Sequence, residues 1–138
     1  MRMFGTLDIS TSALVAQRIR LDTIAGNVAN AYTTRRADGQ PGPYQRRFAV
    51  FSPGDGKGGP GVHVEKIDCD RSQGRMVLDP DHPDAIQEGQ WKGYVEYPNI
   101  EPITEMTNAM LASRAYEANV TVMDVTKQML AASLRLLA

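Results

Sequence analysis

The sequence has few cysteines and no long hydrophobic run. Its single cysteine, Cys69, excludes a disulfide within the chain. No stretch approaches the ~20 consecutive apolar residues of a membrane-spanning helix. The first residues, MRMFGTLDIS, lack the apolar core of about 7–15 residues that marks a cleaved signal peptide. We therefore expect no membrane span, and expect export, if any, by a route without a cleaved signal.

Proline is absent from residues 1–40 and 103–138, and ten of the twelve glycines lie in 37–98. Proline breaks a helix interior and glycine loosens it, so the two ends are predicted to be helical and the middle to be rich in turns. The resulting segments are an N-terminal arm, 1–35, a central segment, 36–98, and a C-terminal arm, 99–138. The predicted fold is α+β and elongated, with long terminal helices that pack as a coiled coil and a small central β-rich segment.

The N-terminal arm is predicted to begin near Asp8 or Ser10, since either side chain can cap a helix. Apolar residues then recur every seven positions, at Leu7, Leu14, Leu21 and Val28, with Ile24 between them. This narrow seam is typical of a coiled coil rather than of a broad core face.

The C-terminal arm is predicted to begin at Asn99, with Pro102 in its first turn. A spacing of three and four residues then selects Ala109, Ser113, Tyr116, Val120, Met123, Lys127, Leu130, Leu134 and Leu137. A helix of this length spans on the order of 50 Å, too long for a compact domain of this size. The seam therefore needs partners along its length.

The central segment contains four candidate strands, at 44–51, 61–69, 74–79 and 93–97, with loops rich in glycine and proline between them. This pattern predicts one small sheet of three to five strands, a size of limited stability alone.

Two asparagines in AGNVANAYTT, Asn27 and Asn30, stand near the predicted end of the first helix. They could cap that helix end, or their amides could contact a neighbouring helix and fix its register, as a buried polar residue does in a coiled coil. Asn119 stands in a similar setting, SRAYEANV, in the other arm. The recurrence of small residues with asparagine favours contact between helices.

The net charge is close to zero, at −1, which argues against binding to nucleic acid. The first fifty residues nevertheless hold seven Lys or Arg and three Asp or Glu, against eight and thirteen in the rest. The densest basic positions are Arg35, Arg36, Arg46 and Arg47. We interpret them as a solvated face rather than as an anion site.

Three patterns resemble functional sites but lack the required context. GDGKGG at 54–59 matches a dinucleotide-binding spacing, yet Pro60 and a strand follow it instead of a helix, so it is read as a hairpin loop. His63 and Cys69 could meet across a strand pair, but no local signature of a cysteine nucleophile surrounds them. The acidic stretch 79–85 lacks the spacing of a calcium loop and is read as a structured turn. The sequence therefore predicts no enzyme, no cofactor and no metal.

A family resemblance runs over nearly the whole chain. ISTSALVAQRIRLDTIAGNVANAYT is similar to the N-terminal signature of flagellar axial proteins, the family of rod and hook subunits. LDPDHPDA and GYVEYPNIEPITEMTNAMLASRAYEANVTVMDVTKQML resemble the C-terminal half of its proximal-rod members. The loop 86–92, with Trp91, is longer than the usual link in this family, and Cys69 is not a family hallmark.

The resemblance implies a structural subunit of the bacterial flagellar basal-body rod. Such proteins pass through the flagellar type III export apparatus without a cleaved signal and polymerise with other rod subunits into the periplasm-spanning shaft that transmits motor torque. The predicted assembly residues, from the motifs and the seams together, are Leu14, Leu21, Ile24, Asn27, Val28, Asn30, Arg114, Tyr116, Asn119, Val120, Met123, Leu130, Leu134 and Leu137. The alternatives are a non-polymerising coiled-coil adaptor of a secretion or envelope assembly and a small enzyme.

Overall fold

The computed structural model describes residues 5–36, 39 and 42–137, and it has two long terminal helices with a small β-rich segment between them. The helices are α1 (Gly5–Ala29) and α2 (Pro102–Leu137). The strands are β1 (Arg47–Pro53), β2 (Val62–Cys69), β3 (Arg75–Leu78) and β4 (Tyr94–Tyr97). The predicted α+β fold is confirmed. No helix among the described residues is long and apolar enough to cross a membrane.

Both helices begin at residues other than those predicted. The first is already helical at Gly5, ahead of Asp8 and Ser10. The second begins at Pro102, because proline lacks the N–H that a first helical residue leaves unpaired and its fixed φ suits that position. Asn99 instead ties loops together, since its Nδ2 donates to Ser72 Oγ at 2.7 Å.

The two helices pack side by side and run antiparallel. Asn27 of α1 bonds Glu105 near the start of α2, and the Thr11 hydroxyl lies 3.7 Å from the Met123 sulfur. In this register Gly5 lies about level with residue 128. About nine residues at the end of α2 therefore extend past the first described residue of α1.

Small or polar side chains and one isoleucine, but no leucine, occupy the most buried positions of the helical pair. These positions are Ser10, Ala16, Ile24, Asn27, Glu105 and Ala112. The predicted leucine line, Leu7, Leu14 and Leu21, is only half-buried, and Val28 is exposed. The seven-residue repeat therefore marks the edge of the contact and not its centre, because small residues allow the helix axes to approach more closely.

The strands form two separate antiparallel hairpins and not the single sheet that was predicted. The first hairpin, β1–β2, packs against α1 and has an irregular register between Val50 and Phe51. The second, β3–β4, is closed by the loop that follows β3, where Ile86 N–H donates to Tyr94 O and Gly93 N–H to Ile86 O, both at 2.9 Å. Each hairpin is thus supported by a different part of the chain.

The β1–β2 hairpin lies along α1 and is fastened to it at its far end. There the Val62 N–H donates to Ser12 Oγ at 3.1 Å. Gly61 has φ +131°, and a Cβ at this position would lie 2.5 Å from the same oxygen. At the tip of the hairpin, Asp55 Oδ1 accepts from the N–H groups of Lys57 and Gly59, both at 2.7 Å. The prediction of a hairpin loop at 54–59 is confirmed.

The acidic stretch 79–85 is a structured turn, as predicted, and its Asp84 fastens it to the end of the first helical arm. Thr34 Oγ1 donates to Asp84 Oδ2 at 2.8 Å, and Arg35 Nε donates to Oδ1 at 2.6 Å. The two hydrogen bonds lower the pKa of the Asp84 carboxyl from its usual value, and the one from Arg35 has the larger effect. The carboxylate form therefore holds the turn in place.

We expect Asp84→Asn to weaken the acid dependence of stability. A carboxyl whose pKa is lowered on folding stabilises the protein above its unfolded pKa, about 3.9, and that contribution is lost as the pH falls through the lower folded value. Urea midpoints should therefore differ less between pH 6 and pH 3 in the variant than in the parent chain. The same difference in both chains would show that Asp84 does not hold the turn through its charge.

A candidate assembly surface on the helical pair

A buried polar cluster joins the end of α1, the start of β1 and the start of α2. It consists of Asn27, Arg46 and Glu105 and is called here the polar clasp. Asn27 Nδ2 donates to Glu105 Oε2 at 2.9 Å and to the Arg47 backbone O at 2.7 Å, and Asn27 Oδ1 accepts from the Arg47 N–H at 2.9 Å. Arg46 donates to Glu105 Oε1 through Nε at 2.8 Å and through a terminal nitrogen at 2.7 Å.

Two of the three members of the polar clasp are shielded from water, and the third, Arg46, has a side chain that is 25% exposed. Asn27 is 0% exposed and Glu105 is 1% exposed. Buried polar groups of this kind are tolerated only when they are hydrogen-bonded, and here the Asn27 amide and both Glu105 oxygens have partners. The clasp therefore fixes the first hairpin and the second helix relative to the first helix.

The two asparagines of the first helix have different roles. Asn27 makes the contact between helices that was one of the two predicted alternatives. Asn30 takes the other role, since its Nδ2 donates to the Gly26 carbonyl at 2.8 Å and so satisfies one of the last carbonyls of α1. Asn119 also bonds within its own helix, to the Ala115 carbonyl at 2.8 Å.

The four arginines at positions 35, 36, 46 and 47 form the predicted solvated face only in part. Arg46 is bound to the buried Glu105, and Arg35 is bound to Asp84. Arg36 and Arg47 are exposed. Arg35 is also exposed although it is paired. The interpretation was wrong for Arg46, because its partner Glu105 lies 59 residues away and follows no local pattern.

The predicted α2 seam is divided between buried and exposed positions. Tyr116, Met123 and Leu130 are half-buried on the side that faces α1. Arg114, Val120 and Leu134 are exposed, and Leu134 lies in the stretch that extends past Gly5. The side chain of Leu137 lies outside the described part of the chain. The assembly role of this set stays a prediction.

A second apolar line on α2, which the sequence analysis did not identify, has no partner among the described residues. We call it the outer stripe. Its large members are Leu111, Val122, Val125, Met129 and Leu136, with exposed fractions from 48% to 89%. At about 100° per residue, it lies roughly a third of a turn around the helix from the face toward α1. A line of exposed apolar residues on a long helix is typical of a protein–protein contact.

The outer stripe was missed because two apolar lines on one helix fit the same spacing. Leu111, Ala118, Val122, Val125 and Met129 are separated by seven, four, three and four residues, which repeats the pattern of the predicted seam. Periodicity alone does not say which line faces α1. Recognition of two parallel lines on one helix would have indicated two different partners.

The residues that suggested catalysis are not brought together. His63 and Cys69 lie near opposite ends of the same strand, β2, about 20 Å apart at the usual rise per residue. They therefore do not meet across a strand pair, an arrangement that the sequence allowed but did not favour. His63 Nδ1 instead lies 2.9 Å from the Gly54 carbonyl. No group of three His, Cys, Asp or Glu side chains in the described ranges is arranged to hold a metal ion.

Two family models match the two ends of the chain, and known proteins align with nearly its whole length. Residues 7–35 match a family model described as "Flagella basal body rod protein", and residues 92–136 match one described as "Flagellar basal body rod FlgEFG protein C-terminal". The chain is 40% identical over 152 aligned positions to the flagellar basal-body rod protein FlgC of Borreliella burgdorferi, and equally to that of Bacillus subtilis, with 99% of each chain covered. It is 39% identical over 140 positions to the Escherichia coli O6:H1 protein of the same name, with 99% of this chain and 98% of that protein covered.

Proposed function

Because this chain belongs to the FlgC family of flagellar basal-body rod proteins and is thus a structural subunit of that rod, we propose that it polymerises through its terminal helices into the proximal part of the rod. The observation that carries this proposal is the outer stripe. Large apolar side chains from Leu111 to Leu136 are exposed along a helix of 36 residues, although the same helix already packs against α1 on another face. A subunit in a helical assembly needs such a second face for its neighbours.

In this proposal the three segments of the chain have different structural roles. The arms, 1–35 and 99–138, supply the contacts between subunits, and the central segment, 36–98, is held against the first arm by the polar clasp and by the Ser12–Val62 hydrogen bond. The exposed members of the predicted set on α2, Arg114, Val120 and Leu134, contact neighbouring subunits together with the outer stripe. Asn27 and Ile24 act within the chain instead, because both are buried against its own elements.

We extend the proposal to partners and location on the strength of the family resemblance. The chain assembles with other rod subunits and basal-body components, crosses the periplasm as part of the rod, and transmits motor torque. It reaches this position through the flagellar type III export apparatus without a cleaved signal. Its role is structural and not catalytic, a view supported by the separation of His63 from Cys69.

Purified basal bodies from cells that express a tagged chain test this proposal. We expect the tag within the rod, in several copies for each basal body, and we expect cells without the chain to be non-motile. A chain that instead forms a finite complex outside the rod would favour the adaptor alternative and contradict the proposal.

A further inference from the structure

A cleft of about 590 Å³ next to the end of α1 is strongly basic. Arg35, Arg36 and Arg47 line it, together with Thr33, Tyr44 and Cys69. We call it the basic cleft. It lies outside the outer stripe and outside the polar clasp, and the helical packing gives it no role.

Two of its arginines are exposed and lie against neighbouring groups of the cleft. The Arg47 guanidinium carbon lies 5.5 Å from the centre of the Tyr44 ring, a cation–π arrangement. Arg36 lies against the backbone of Gly42, where an added Cβ would be 3.0 Å from Arg36 Nε. Neither forms an ion pair with another described residue, whereas Arg35 is paired with Asp84. Guanidinium groups without an ion-pair partner among the described residues are suited to binding carboxylates, since a planar guanidinium can donate two parallel hydrogen bonds to one carboxylate.

An acidic loop lies next to the basic cleft on the same chain. Residues 79–88 contain four carboxylates, and no Lys or Arg stands between Arg75 and Lys92. Asp84 anchors this loop to Arg35 at the edge of the cleft. Asp81 and Glu88 are exposed and form no ion pair with any described residue.

We propose that the basic cleft of one subunit binds the acidic loop of a second copy of the chain, through Arg36 and Arg47 on one side and Asp81 and Glu88 on the other. The inference rests on the proposed function, because it adds a contact outside the terminal helices to the same assembly. The charges of the two patches are complementary, which favours this pairing and suppresses pairing of like patches.

We infer a head-to-tail geometry for this contact. A two-fold pair could join both patches of two copies and would close as a dimer, but a subunit that polymerises into a rod needs the open alternative, in which the loop of one copy binds the cleft of the next. Such a head-to-tail contact leaves a free cleft at one end and a free loop at the other, and therefore extends from subunit to subunit. A nucleic acid is a poorer occupant, because the acidic loop would lie against its phosphates.

Charge reversal tests the pairing in cells that carry only the variant chain. A cleft variant, Arg36→Glu with Arg47→Glu, and a loop variant, Asp81→Arg with Glu88→Arg, should each lower the yield of basal bodies with complete rods at least tenfold. The chain that carries all four changes should recover to within about threefold of the parent, because complementarity is restored with opposite sign. Urea midpoints of the purified variants should match the parent, since all four side chains are exposed.

The outcomes separate this contact from the wider assembly. Normal rods in either variant, or no recovery in the combined variant, would overturn the pairing. A loss in the cleft variant alone would also overturn it and would point to a different anionic partner. In none of these cases would the helical packing itself be contradicted, because the outer stripe is untouched.

The single native cysteine allows a direct measurement in rods that assemble. Cys69 lines the cleft, so a Glu88→Cys chain treated with a short bis-maleimide in purified basal bodies should give crosslinked species larger than a dimer. The same chain with Cys69→Ser should give no species larger than a dimer, because each subunit then holds one thiol. Intact rods without the larger species would contradict the head-to-tail contact.

Discussion

Replacement of Val122 and Val125 by aspartate should abolish rod assembly while the purified chain stays as stable as its parent. Both side chains are about half exposed on the outer stripe, so the isolated chain loses little. In the rod, each change removes the burial of the exposed half of a valine side chain, about 0.8–1.5 kcal/mol, and places a charge in an apolar contact at a cost of several kcal/mol more. Every subunit in the rod carries these free-energy costs. Swimming in soft agar and the yield of purified basal bodies measure the result.

Gln128→Asp is the matched control for this pair. Gln128 is exposed on the same part of α2, but it is polar and lies off the outer stripe. We expect cells with this change to swim and to assemble rods at close to the parent level. Equal assembly in the Val122→Asp/Val125→Asp chain and in the control would show that the outer stripe is not an intersubunit contact.

Glu105→Ala should destabilise the isolated chain by about 3–5 kcal/mol, the usual cost of removing one partner from a buried ion pair. The change leaves the Arg46 guanidinium and the Asn27 amide without their shared acceptor inside the protein. The free energy of unfolding, measured in urea, should fall accordingly. Glu105→Gln should cost less, because an amide oxygen can still accept one hydrogen bond.

Glu117→Ala provides the comparison for Glu105→Ala on the same helix. Glu117 is exposed, and its loss should change the free energy of unfolding by about 0.5 kcal/mol or less. Similar effects of the two substitutions would mean that the polar clasp does not hold the first hairpin and the second helix to the first.

The helices were predictable from the sequence because their physical cause is local. Proline and most glycines are confined to the middle of the chain, and apolar residues recur at helical spacing on both sides of it. The position of Pro102 as the first residue of α2 was close to its predicted place in the first turn. The two hairpins were not predicted as separate units, because strand pairing depends on which element supports each hairpin.

The functional surfaces were predicted less completely, for two different reasons. The polar clasp joins Asn27, Arg46 and Glu105 across 59 to 78 residues of chain, so only Asn27, an unusual residue on an apolar helix, gave a local signal. The outer stripe was visible as a pattern, but α1 could have packed on either apolar line of α2. The line that faces α1 contains the small residue Ala112, which is fully buried and allows close approach.

The most direct test of the account is a cryo-electron microscopy map of purified basal bodies in which this chain is located. The account predicts that Leu111, Val122, Val125 and Met129 of each copy are buried against helices of neighbouring rod subunits, while the polar clasp is unchanged within each chain. A rod in which these four side chains face solvent, or a rod that does not contain the chain, would contradict it.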